Sequence, residues 1–91
     1  MGTASLMCVC PVCGSDGLLE KPRSVIGSPS YEVCMCCGFE FGYHDDSQGY
    51  TYRDWRTRWI GKGTRWCCED IEPRPLGWDA EQQLMNLAEL N

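Results

Sequence analysis

Two short segments, Cys10-Pro11-Val12-Cys13-Gly14 and Cys34-Met35-Cys36-Cys37-Gly38, each carry a pair of cysteines separated by two residues and followed by glycine. Two intervening residues fold into a tight turn that aims both sulfurs at one point and lets turn amides donate to them. The glycine after the second cysteine accepts the positive φ by which the chain leaves the turn. Twenty residues lie between Cys13 and Cys34, a spacing that reads as a four-cysteine metal site. Thiolates from two facing knuckles make a closed tetrahedral set with no position left for a reactive water, so a structural ion is expected and hydrolytic chemistry is not. Cys10, Cys13, Cys34 and Cys37 are therefore the candidate ligands. Zinc is the expected ion and iron the alternative, because a tetrahedral sulfur site suits both.

Four further cysteines, Cys8, Cys36, Cys67 and Cys68, have no knuckle spacing. They read as small hydrophobic thiols, with a second metal site from all four, or a vicinal Cys67–Cys68 disulfide, as alternatives. His44 lies seven residues past Cys37 and is either a substitute ligand or a turn residue. Asp45 and Asp46 have no nucleophile or partner base beside them and read as turn residues. No catalytic residue is expected, and the chain is read as a non-enzyme.

The elements that hold these residues follow from patterning. Tyr31 and Val33 alternate with Glu32, and Phe39, Phe41 and Tyr43 alternate with Glu40, which predicts short strands of an antiparallel sheet with one aromatic face. Leu18 to Lys21 is a weaker strand candidate, and Pro22 to Pro29 is a loop. Thr51 followed three residues later by Asp54 resembles a capping box and starts a Trp-rich helix over 51–61. Tyr52, Trp55, Trp59 and Ile60 share one face of that helix, suited to cover the sheet. Gly61 and Gly63 end it. Asp79 with Gln82 caps a second helix over 79–90, in which Ala80, Leu84, Leu87 and Ala88 share a face flanked by Met85 and Leu90.

The chain has 91 residues, a net charge of −5 and 43% hydrophobic residues, eight of them cysteines. A single domain of this size buries a small core and needs a staple, which a metal supplies. The charge is uneven: residues 53–65 hold Arg53, Arg56, Arg58, Lys62 and Arg65 against one acidic residue. These five side chains form the candidate interaction surface, fitted to an unidentified protein partner, or else a solvated helix face. Overall acidity argues against nucleic acid, though binding through 53–65 stays as an alternative. No run approaches the length of a membrane span, and the first residues lack the basic flank and apolar stretch of a secretory signal, so a cytoplasmic protein with no membrane contact is expected.

The run CPVCG, then SYEVCMCCGFEFGYHDD, then TYRDWRTRWIGKGTRW and PLGWDAEQQLMNL resembles small uncharacterised bacterial zinc-ribbon-like proteins near the cysteine-rich CPCC group. The resemblance covers roughly residues 8–87 and implies metal binding by Cys10, Cys13, Cys34 and Cys37 with no established catalysis. Cys34 to Phe41 also resembles a rubredoxin knuckle and its aromatic strand, with Met35 where proline is usual and a helical half that rubredoxin lacks.

These features predict an α+β fold over residues 1–91: a zinc-ribbon or rubredoxin-like antiparallel sheet over 8–43, followed by two helices. The expected function is a non-enzymatic zinc-binding module for protein interaction. A rubredoxin-like iron electron carrier on the same four cysteines is the alternative.

Overall fold

The computed structural model describes residues 8–90, and side chains to Ala88. The expectation about a leader falls on residues 1–7, and the flanking role of Leu90 on its side chain; both lie outside the described residues.

Helix α1, Tyr52–Gly61, begins where the sequence places it. The Thr51 hydroxyl accepts from the Asp54 amide at 2.9 Å and the Asp54 carboxylate accepts from the Thr51 amide at 3.4 Å, closing the capping box. These contacts satisfy two backbone donors that a helix start leaves without partners. After it, Gly63 turns the chain at φ +95°. Helix α2 is shorter than expected. Asp79 caps Ala80–Leu84 by accepting from the Glu81 and Gln82 amides, and the chain then tightens into a 3₁₀ helix over Met85–Leu90.

The expected antiparallel sheet, and with it the α+β, zinc-ribbon or rubredoxin-like class, is corrected. Among the described residues no β-strand forms. There are isolated antiparallel bridges, Cys8 to Leu18, Arg23 to Pro29 and Val33 to Glu40. The reason lies in how the backbone amides are used. The first knuckle is closed by Cys8 and Leu18, whose amides donate to each other's carbonyls at 2.7 and 3.1 Å. Immediately beyond, the Glu32 carboxylate accepts from the Leu19 and Glu20 amides at 2.8 and 3.0 Å, taking donors a ladder would need. The aromatic run is cut at Gly42, φ +101°, where the chain enters turns that continue to Gln48. Tyr31 sits at φ +60°, in the left-handed region that extended strands do not visit.

Alternation still sorted two of the aromatics correctly. Phe39 and Phe41 are fully buried, whereas Tyr31 and Tyr43 are exposed. Phe39 is the hub of the core: its ring lies 5.1 Å from Phe41, 5.5 Å from Tyr52 and 5.6 Å from Trp55, all edge-on. Edge-to-face pairs add about 0.5–1.5 kcal/mol each beyond simple burial. Of the α1 stripe, Trp59 is buried and Tyr52 and Trp55 pack against the core, but Ile60 faces out. The aromatic helix therefore covers two knuckle loops rather than a sheet.

Candidate metal centre

The two knuckles fold alike. Gly14 donates to the Cys10 carbonyl at 2.9 Å and Gly38 to the Cys34 carbonyl at 2.8 Å, each glycine at positive φ, +87° and +80°. This repeated turn brings Cys10, Cys13, Cys34 and Cys37 together, with all four sulfurs within 4.8 Å of one another. Every one of the four is buried. Cys10 Sγ lies 3.9 Å from Cys37 Sγ, and Cys13 Sγ lies 3.7 Å from Cys34 Sγ. A tetrahedral ion with metal–sulfur bonds near 2.3 Å requires sulfurs about 3.8 Å apart. The donor set and its spacing fit one ion. No disulfide joins these cysteines.

The four thiols shift one another's acidity. The Cys13 thiol is pushed up by the Cys10 thiol beside it, then by Cys34, Cys36 and Cys37, with burial adding to the effect. Cys37 is also pushed up, first by Cys10. Cys34 is pulled down because Cys10, Cys13 and Cys37 donate to it and the Cys37 amide adds a further bond. Thiolates are the ligands of a bound ion, so metal binding at the quartet displaces thiol protons.

A ring of side chains grips the knuckle carbonyls from outside. Arg56 on α1 donates from Nε to the Val12 carbonyl at 2.7 Å and from Nη2 to the Pro11 carbonyl at 2.9 Å. Trp55 Nε1 donates to the Cys37 carbonyl at 2.9 Å. From α2, Gln83 Nε2 donates to the Cys13 carbonyl at 3.0 Å and to Cys36 Sγ at 3.3 Å, and from the 3₁₀ helix that follows it Asn86 Nδ2 donates to the Gly14 carbonyl at 2.8 Å. Such outer contacts hold ligands in their binding orientation. Periodicity placed Trp55 on the core face but did not reveal that Arg56, Gln83 and Asn86 reach the knuckles.

The candidate basic surface is divided by this geometry. Arg56 is half-buried in the knuckle contact. Arg58 lies over Trp55 and Tyr50, 5.2 and 5.7 Å from their ring centres, and donates to the Tyr50 hydroxyl. Arg53, Lys62 and Arg65 are exposed. Lys62, Arg65 and Arg58 edge a small depression of about 180 Å³, walled by Trp55, Trp59 and Cys37.

The remaining candidates resolve separately. Cys8, Cys36, Cys67 and Cys68 do not gather into a second four-cysteine site; among the described residues the one such group is the quartet. His44 is a turn residue. Its Nδ1 accepts from the Glu40 amide at 2.9 Å, and its ring packs 4.3 Å from Trp55. Asp45 accepts from the Gly42 and Asp46 amides, and Arg23 bridges Asp45 and Asp46 at 2.9 and 2.7 Å. The Asp45 carboxyl lies below its ordinary range: burial pushes it up, but Arg23 and the two amides outweigh that.

No family model and no solved structure matches the chain. Curated proteins do match, among them two of Bacillus subtilis (strain 168). The uncharacterised protein YozI is 31% identical over 82 residues, covering 74% of this chain and 68% of YozI. The chain belongs to the YozI family. A shorter match, 42% identical over 38 residues, joins it to the uncharacterised protein YoaQ, covering 41% of this chain and 32% of YoaQ. Within this YozI-family chain, no described helix is long and apolar enough to cross a membrane.

Proposed function

We propose that the chain is a non-enzymatic zinc-binding protein of the cytoplasm whose four-cysteine site is structural and whose α1 surface serves interaction with a protein partner. The observation that carries this is the closed quartet: four buried sulfurs at tetrahedral spacing, with each knuckle tied by side chains to a helix. A site of that kind supplies folding energy and offers substrate no open coordination position. The resemblance of the CPVCG and CMCCGFEF segments to cysteine-rich zinc proteins points the same way. Arg53, Lys62 and Arg65 give a predominantly acidic chain one cationic side, suited to an acidic protein surface.

Elemental analysis with a visible spectrum tests the metal, using protein purified without added metal. One equivalent of zinc in a colourless solution is expected. One equivalent of iron in a red protein would replace the structural reading with electron transfer. For the partner, pull-down on immobilised chain should recover a protein whose retention drops when Arg53, Lys62 and Arg65 are together changed to Ser; retention that ignores the change removes that surface from the proposal.

A further inference from the structure

Cys67 and Cys68 are adjacent, and the backbone fixes them against the second knuckle. The Cys67 amide donates to the Cys36 carbonyl at 2.8 Å and the Cys68 amide to the Met35 carbonyl at 3.0 Å. The Cys67 thiol rests on Gly38, where a Cβ would stand 2.9 Å from its sulfur. The two sulfurs lie 2.8 Å apart, and Cys67 is exposed. They take no part in the buried quartet.

We propose that Cys67 and Cys68 form a surface dithiol site for a trivalent thiophilic metalloid, of which arsenous acid is the simplest member. Spacing and coordination number select this class. Bonds of about 2.3 Å at near-right angles need sulfurs about 3.3 Å apart, whereas a linear two-coordinate ion needs about 4.6 Å. The observed separation is nearer the first. Zinc would want four ligands, and no third cysteine, histidine or carboxylate joins this pair among the described residues. A pyramidal metalloid is complete with two protein sulfurs and one hydroxyl or carbon substituent on its open side. The step is a condensation without redox change: two sulfur–arsenic bonds form, two arsenic–oxygen bonds break, and each thiol proton leaves with a hydroxide as water. Because the dithiol is already held in place, little ordering entropy opposes chelation.

The test uses zinc-loaded, fully reduced protein and one equivalent of phenylarsine oxide, read by native mass spectrometry. In that reaction one water leaves as both sulfurs bond to arsenic. We expect one phenylarsenic adduct per chain with the zinc retained, and at least a tenfold loss of adduct in Cys67→Ser and in Cys68→Ser. No adduct, an adduct indifferent to both substitutions, or an adduct that forms only as zinc is lost would each overturn the proposal. Zinc content of the two variants confirms that the quartet is intact.

Discussion

The guanidinium of Arg56 is bonded to the carbonyls of Val12 and Pro11, 44 and 45 positions earlier in the chain, at 2.7 and 2.9 Å. Its two N–H groups hold the turn between the first pair of cysteines by its carbonyls. Two parallel donors in a fixed plane are a property of arginine that lysine does not share. Outer contacts of this kind change metal affinity by about 10–100-fold. Arg56→Ala and Arg56→Lys should both weaken zinc retention on that scale in a chelator competition, while Arg53→Ala leaves it unchanged. Equal retention in all three would show that the contact does not orient the knuckle.

Cys36 sits between two ligands and is as buried as they are, yet it lies outside the quartet. Cys36→Ala should keep one equivalent of bound metal, with a modest loss of stability from the missing Gln83 contact. Cys34→Ser and Cys37→Ser should lose the metal and unfold the knuckles, removing a sulfur whose three partners stay buried. Metal content and amide dispersion in NMR spectra of the three variants check this.

Two glycines with the same backbone angle separate strain from crowding. Gly14 and Gly27 both have φ +87°. A Cβ at Gly27 meets nothing, whereas at Gly14 it runs into the Gln83 carbonyl. Gly27→Ala should therefore cost about 1–2 kcal/mol from the left-handed conformation alone. Gly14→Ala should cost clearly more and part α2 from the first knuckle. Urea melts of the metal-loaded variants measure both.

Acid acts on the protein in two ways. Bound thiolates must be protonated for the ion to leave, so zinc affinity falls as pH falls. Asp45 titrates below its ordinary value in the folded chain, so the stability it lends is present above the unfolded carboxylate pKa of about 4 and is lost as pH drops through the lower folded one. Arg23→Ala should weaken that second dependence, the Gly42 and Asp46 amides still holding Asp45, and leave the first. Urea melts of the metal-loaded proteins should find Arg23→Ala less stable by a constant amount above about pH 5, with the gap closing as pH falls below about 4.

The ligand quartet was legible in the sequence because a CxxCG unit encodes its own turn. The α1 start was legible for the same reason, Thr51 and Asp54 being three residues apart. The sheet was not. Alternation at Phe39 and Phe41 reports burial, and burial here comes from α1 lying over a knuckle, not from strand pairing. Nothing local announced that Glu32 would take the Leu19 and Glu20 amides. Arg56 read as one of five surface cations because helix periodicity assigns a face and says nothing about a carbonyl 44 residues away.

The two grips on the first knuckle from the last helical segment, Gln83 of α2 on Cys13 and Asn86 of the 3₁₀ helix on Gly14, have a consequence for synthesis. Ribosomes add about 5–20 residues per second, so Asn86 is joined some 2–10 seconds after Cys37 completes the thiol set. Until then the nascent chain holds every sulfur needed for the ion but lacks these two donors to the first knuckle. An ion taken up before the segment docks would be held by the sulfurs without those outer contacts, and docking would then slow its exchange.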